Sequence, residues 1–346
     1  MSKTAEEISK ATGFSITTIR FVLNGQSEKY RISASTQKQI NDYIAVHGYS
    51  VNHAARSLKL KRSDTIGLVV PDLDNAFFAR LMAALEIRCR KRNLLLLTVA
   101  SHDNPELENR AITTLLARGV DGLVIAPCQQ ATLPLLIKNK ARASVVMFDR
   151  DFNPPLFPTV SSDNFQGALL MARRIMKEVK GPCHFLCGDV GLPSIQDRIR
   201  GFKAACEEAG IQNAEELILF ESENTPEAGK HLMKGLIEAF QSPPPAFMCS
   251  SLMMLEGALQ QIKAETGSID KDIVMGTFDD YPMLDFLPNR IFSVKQDEQT
   301  LAKKVFDRLI APISERKDSQ SLRDVVPTTL ICRNLKRSRT RSTKSG

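Results

Sequence analysis

No apolar run in the 346 residues approaches the roughly 18 that a membrane helix needs. No apolar stretch follows the N-terminus either, so neither a membrane span nor a signal peptide is expected, and the chain reads as cytoplasmic. Cysteine is sparse: seven residues, at 89, 128, 183, 187, 206, 249 and 332, an odd number without one Cys-x-x-Cys pair. Cys183 and Cys187 flank His184 on what reads as one strand, a spacing that suits buried thiols better than a metal site. The signatures of catalysis are missing as well. There is no glycine-rich phosphate loop and no Gly-x-Ser-x-Gly, and the five histidines, at 47, 53, 102, 184 and 231, do not cluster. These absences argue against an enzyme, a metal centre or a bound cofactor.

What is present is an ordinary globular composition, 43% hydrophobic and 25% charged, in a chain long enough for two or three domains. The charge is unevenly placed. Residues 1–62 carry ten Lys/Arg against four Asp/Glu, and residues 333–346 carry six Lys/Arg and no acid. With the whole chain at +7, residues 63–332 are left with a net charge of −5. A basic head on an acidic body suggests a sensor joined to a module that touches a polyanion. The basic tail, 333–346, is expected to be disordered.

Within the head, Thr4-Ala5-Glu6-Glu7 has the form of a capping box. The helix it starts carries Ile8 and Ala11 on one face and stops near Gly13, which tolerates the positive φ of a tight corner. Ser15 caps a second helix, whose Ile19, Val22 and Leu23 point inward and which Asn24-Gly25 ends. A third helix begins after Ser33 or Ser35, uses Ile40 and Ile44 as its core side and closes at Gly48. Three short helices with a glycine corner between the first two make a helix-turn-helix over residues 1–49. The second helix has the length that fits a DNA major groove. Ile16, Thr17 and Arg20 fall on the face left over: Arg20 can pair with guanine, Thr17 with either base edge and Ile16 with a thymine methyl. Thr4, Ser15 and Asn24 complete the expected DNA-facing set of this domain.

From Thr65 onward apolar strands alternate with amphipathic helices, among them Phe78–Arg92, Leu133–Lys138, Asp197–Ala209 and Pro226–Phe240. Such alternation predicts doubly wound parallel sheets, and two runs in series predict two similar lobes. The first lobe is expected over about 63–161 and 295–320, the second over about 162–293 and 321–332. Ligands in this architecture bind beyond the carboxyl ends of the strands, in the cleft between lobes. The candidates there are Asp72, Phe77 and Phe78 after the first strand, Ser101 after the second, Asp149 with Arg150 after the fourth, and Ser250 and Ser251 in the second lobe. The two phenylalanines either cover a sugar face or cap the lobe. Leu81, Met82, Leu85 and Cys89 on the helix after the first strand either form a dimer face or belong to the internal core.

Ala11-Thr12-Gly13-Phe14-Ser15, Val22-Leu23-Asn24-Gly25, and Asn52-x-x-Ala55-x-x-Leu58 running into a basic stretch and then Ile66-Gly67-Leu68-Val69-Val70-Pro71-Asp72 resemble the lactose/galactose repressor family. The resemblance covers almost the whole chain. It implies a body with the fold of periplasmic sugar-binding proteins and a hinge helix within 50–62 that enters the minor groove, with Leu58 as its wedge. Ala54, Ala55 and Leu58 would form its apolar face, with Arg56, Lys59, Lys61 and Arg62 toward phosphate. Asn52, Ala55, Arg56 and Leu58 are therefore expected at DNA. The family motifs place Arg198, in Arg-x-x-Gly-Phe, and Asp279, in Phe-Asp-Asp, at the effector, and Val-Lys-Gln-Asp places Gln296 at a crossover on the cleft. The longer insert Asn-Gly-Gln-Ser-Glu-Lys-Tyr-Arg-Ile-Ser is similar to the fructose- and sucrose-repressor subgroup. Its Tyr30 and Arg31 either contact backbone phosphate or pack the loop on the third helix. Ser250-Ser251-Leu252 replaces the Ala-Asn-Asp of many sugar-responsive members, which points to the same subgroup.

The expectation is a homodimeric or tetrameric transcription regulator that binds a near-palindromic duplex operator, without a membrane role. Its effector is expected to be fructose 1-phosphate, then fructose 6-phosphate, fructose or sucrose. The rival is a sugar-binding transport receptor, which would share the body but not the head.

Overall fold

The computed structural model describes residues 2–50, 62–132, 135–137, 143–152, 157–179, 181–311 and 322–335. The chain divides into two compact units, Met1–Asp64 and Thr65–Gly346. In the first, helices α1 (Ala5–Thr12), α2 (Ile16–Leu23) and α3 (Ala34–His47) each begin at a side-chain cap. The Thr4 hydroxyl accepts from the Glu7 N–H, and the Glu7 carboxylate accepts from the Thr4 N–H at 2.8 Å. Ser15 and Ser33 accept from the N–H groups of Thr18 and Thr36. Each such cap is worth about 0.5–2 kcal/mol, which matters for helices this short. Gly13 takes φ +75° at the end of α1 and turns the chain into α2.

Ala5, Ile8, Ile19 and Ile40 form the buried centre of this unit, with Phe14, Ile16, Val22, Leu23 and Ile44 half-buried against it. Contrary to expectation, Ile16 therefore does not lie on the outer face. It stands three residues before Ile19, on the same side of the helix. Thr17, Arg20 and Asn24 are exposed. The hinge residues Asn52, Ala55, Arg56 and Leu58 lie outside the described residues, as does the tail beyond 335.

The second unit holds β1 (Thr65–Val70), α4 (Ala76–Lys91), β2 (Leu95–Ala100), α5 (Pro105–Ala117), β3 (Gly122–Ile125), β4 (Ser144–Phe148) and β5 (Thr159–Ser162). Then follow α6 (Asn164–Glu178), β6 (His184–Cys187), α7 (Pro193–Glu208), β7 (Ile218–Phe220), α8 (Pro226–Phe240), β8 (Ala246–Cys249), α9 (Leu252–Thr266) and β9 (Val274–Phe278). The last elements are β10 (Arg290–Lys295), α10 (Glu298–Ile310), β11 (Arg323–Val326) and β12 (Thr329–Arg333). Two six-stranded sheets result, ordered β11-β5-β4-β3-β1-β2 and β12-β10-β9-β8-β6-β7. Among the described residues every strand pairing is parallel except that of β12 with β10.

Strands covered on both faces explain the continuous apolar runs. Along β1, Ile66, Leu68 and Val70 enter one core while Val69 enters the core on the opposite face. Along β8, Ala246 and Met248 alternate in the same way with Phe247 and Cys249. Two helices of the second lobe approach unusually closely. A Cβ on Gly257 of α9 would sit 1.8 Å from the Pro226 carbonyl oxygen, and one on Gly229 of α8 2.3 Å from that of Met254.

The chain crosses between lobes three times, from β5 to α6, from β10 to α10 and from β11 to β12. Residues 323–326 pair with β5 and so belong to the first lobe, not to the second as expected. Helix α7 begins at Pro193, a turn before the expected Asp197. Of the helix expected over Leu133–Lys138, only 135–137 are described, and they are helical. Leu81, Leu85 and Cys89 of α4 are fully buried in the first lobe, so that face is internal.

Among the described residues no helix is long and apolar enough to cross a membrane, and no three His, Cys, Asp or Glu residues converge to hold a metal ion. Cys183 and Cys187 are buried free thiols, and burial pushes both well above the usual thiol range.

Candidate functional site

The exposed face of α2 presents Thr17 and Arg20, with Asn24 at its end. A terminal nitrogen of Arg20 stands 3.2 Å from a Glu6 carboxylate oxygen. Thr4 and Ser15 spend their hydroxyls on the helix caps. In the insert, Tyr30 stacks flat on Phe21 of α2, with ring centroids 3.6 Å apart and planes within 7°. The loop is thus held to α2 by this stack and to α3 by the Gln37 amide, which donates to the Ile32 carbonyl at 2.9 Å, and Lys29 lies 5.5 Å from the Tyr30 ring centroid. Arg31 takes φ +52° at the loop's end.

In the body, the two lobes place matching turns at their strand ends. Phe148 of β4 is followed by Asp149 at φ +63°, and Phe278 of β9 by Asp279 at φ +72°. Aspartate is one of the few residues besides glycine that enters this region at modest cost. Both carboxyls are buried, and burial raises their pKa against the pull of Arg198, and for Asp149 of Arg150 as well. The Gln296 amide donates to Asp279 at 2.6 Å.

Arg198 comes from α7. Its Nε donates to Asn164 Oδ1 at 2.9 Å, a terminal nitrogen donates to the Ser250 carbonyl, and the guanidinium lies 3.8 Å from the Phe278 ring centroid. Burial lowers its pKa, while Asp279 and Asp149 work the other way. Arg150 is also buried. Burial works to lower it, but Asp103, which takes both its terminal nitrogens, raises it together with Asp149, and the net shift is upward. Three buried polar atoms here have no hydrogen-bond partner: Asp149 Oδ1, Gln296 Oε1 and Arg150 Nε, the last standing 4.0 Å from Asp149 Oδ2. Two acceptors and a donor are thereby left for something else.

Among the described residues, three cavities lie along the cleft. One of 460 Å³ is lined by Asp72, Asn75, Phe78, Asp103, Arg150, Asn224 and Thr225, among others. A second, of 480 Å³, reaches Gln130, Asp149, Asn164 and Asp197. A third, of 550 Å³, reaches Asp279, Met253 and Tyr281. Asp72, Phe78, Asp149 and Asp279 thus border open space. Phe77 is buried edge-on against Phe78. Ser101 is fully buried and its hydroxyl donates to the Val70 carbonyl. The Ser250 hydroxyl accepts from the Gly188 N–H, and Ser251 caps α9 while donating to Asn224.

Sequence reasoning missed Asp103 and Asn164, which hold the two arginines, and Arg80. From α4, Arg80 donates to the Asp280 carbonyl at 2.8 Å, lies 3.6 Å from Glu298 and 5.0 Å from the Tyr281 ring centroid. Nothing local marks Asp103 or Asn164. Their role follows from which strand ends become neighbours.

Residues 66–313 match the periplasmic binding protein domain family. The sucrose operon repressor of Klebsiella pneumoniae is 30% identical over 96% of this chain and 98% of its own length. The fructose operon regulatory protein of Vibrio cholerae is 31% identical over 86% and 90%. Among solved structures, the Cra transcriptional dual regulator of Pseudomonas putida in complex with fructose 1-phosphate is similar at TM-score 0.70 and 26% identity, over 78% of this chain and 98% of that one. The lac repressor dimer bound to operator shares the fold at TM-score 0.77 over 96% and 98%, with 20% identity. The body is common to transport receptors, but the helix-turn-helix head and these full-length relatives are not. The chain belongs to the lactose/galactose repressor family of sugar-responsive transcription regulators.

Proposed function

We propose that the protein represses sugar-metabolism genes by binding a near-palindromic operator as a homodimer, and that a phosphorylated ketose controls it, fructose 1-phosphate before fructose 6-phosphate. The observation that carries the effector reading is the pairing of two buried guanidiniums, Arg150 and Arg198, with two buried carboxylates, Asp149 and Asp279. The carboxylates accept from sugar hydroxyls, and a guanidinium fork suits a phosphate. Arg150 shares its 460 Å³ cavity with Asn75 and Thr225, which cap the N-termini of α4 and α8. Helix N-termini favour anions. The P. putida relative holds fructose 1-phosphate. A dimer is supported by the open edge of the first lobe, where Leu95 of β2 is 58% and Ile87 of α4 38% exposed.

A neutral sugar is the second reading, because Asp103 already neutralises Arg150. The K. pneumoniae relative is named for sucrose. Thermal shifts with fructose 1-phosphate, fructose 6-phosphate, fructose and sucrose separate the two. A ligand at a hundred times its Kd adds about 2.7 kcal/mol of stability. Arg198→Lys keeps the charge but loses the fork, and should shrink that gain for the phosphate. Stabilisation by sucrose or fructose alone, unaffected by Arg198→Lys, would reject the phosphate and the role given to Arg198.

A further inference from the structure

The Arg20–Glu6 pair joins two helices of the head across 14 residues of sequence. Both side chains are about half exposed, at 49% and 52%, and an exposed pair adds little stability. Stability therefore does not explain an acid on a face that must approach a polyanion. Capping does not explain it either, because Glu7 performs that task and also pairs with Lys3.

The geometry fits another role. A guanidinium offers five N–H groups in a rigid fork. Glu6 meets one terminal nitrogen, at 3.2 Å, on a side chain that stays 49% exposed, so the other donors are not used by this pair. A guanine needs two of them, parallel and in a fixed plane. An arginine already held along one edge has less freedom to lose on binding. The same carboxylate repels phosphates on every sequence, so it weakens indiscriminate binding.

We propose that Glu6 is a positioning residue: it orients Arg20 toward one base pair in each half-site and raises the ratio of specific to non-specific binding. This rests on the reading of Arg20 as a base contact. The test uses the full chain and an operator selected by the wild-type protein from a random duplex library. Fluorescence anisotropy then compares that operator, versions changed at single base pairs, and an unrelated duplex.

Arg20→Ala should relax discrimination at one position per half-site. Glu6→Gln should relax it at that same position, by about two- to fivefold, while binding the unrelated duplex more tightly. Glu6→Asp, which keeps a carboxylate, should recover part of the discrimination. Relaxation by Arg20→Ala with none by Glu6→Gln would overturn the role of Glu6 alone. Loss of affinity by Glu6→Gln equally on all sequences, with a lowered Tm, would make Glu6 structural and also overturn it. Unchanged discrimination in Arg20→Ala would remove the base contact itself, and the proposal with it.

Discussion

Asp149 and Asp279 are the residues with the most at stake in the cleft. Burial raises both carboxyls, so the folded chain holds their protons more tightly than the unfolded chain does. By linkage these two groups favour folding as pH falls, and that contribution fades as pH rises through their raised values. An effector that donates hydroxyls to them favours their ionised forms. Its binding should therefore release protons and weaken as pH falls through their raised values. Calorimetry in two buffers of different ionisation enthalpy measures the release directly. Equal heats in both buffers would contradict it. Their shared left-handed backbone also separates conformation from charge. Asn tolerates that φ and Ala does not, so Asp279→Asn removes the charge and one acceptor oxygen without backbone strain.

At the scale of elements, α8 and α9 test how closely two helices can be required to pack. Gly257→Ala places a methyl group within 1.8 Å of the Pro226 carbonyl oxygen and must push the helices apart. It should cost about 1–3 kcal/mol, read in urea as a lower midpoint at unchanged slope. An unmoved midpoint would mean that the pair yields freely. Helix α8 was legible in the sequence to the residue, because Thr225-Pro226 marks its start by cap and fixed φ. The start of α7 was not, because Leu192 offers no capping side chain and Asp197 looked like the first signal. Strands β5, β11 and β12 are four or five residues long, and β11 and β12 are partly exposed. Their identity comes from pairing partners far away in sequence, which no local pattern carries. The same division holds in the cleft. Asp149 was legible as a polar residue ending an apolar strand, and Arg198 and Asp279 through their motifs. Asp103 and Asn164 depend on the crossing of the chain between lobes.

At the scale of the whole body, Arg80 links the lobes beside the effector cleft. It reaches from α4 to the carbonyl of Asp280, next to Asp279, and lies near Glu298 at the start of α10. Arg80→Ala should cost the free protein little, about 1 kcal/mol for a partly exposed hydrogen bond, and should reduce the stabilisation given by effector. Equal losses of Tm with and without effector would show that Arg80 serves folding alone. The three crossings also govern how the protein is made. The core of the first lobe draws Leu301, Ala302, Val305, Phe306 and Leu309 from α10 and Val326 from β11. The lobe that leaves the ribosome first is therefore completed almost last, after the second lobe's sheet has all but its edge strand. Until then Leu68, Leu85 and Phe148 border an unfilled apolar face. A chain stopped after Lys295 should bind a hydrophobic dye and aggregate, and a monodisperse, dye-silent fragment would argue against this order. Nascent chains of this length would then be the stage most in need of a chaperone.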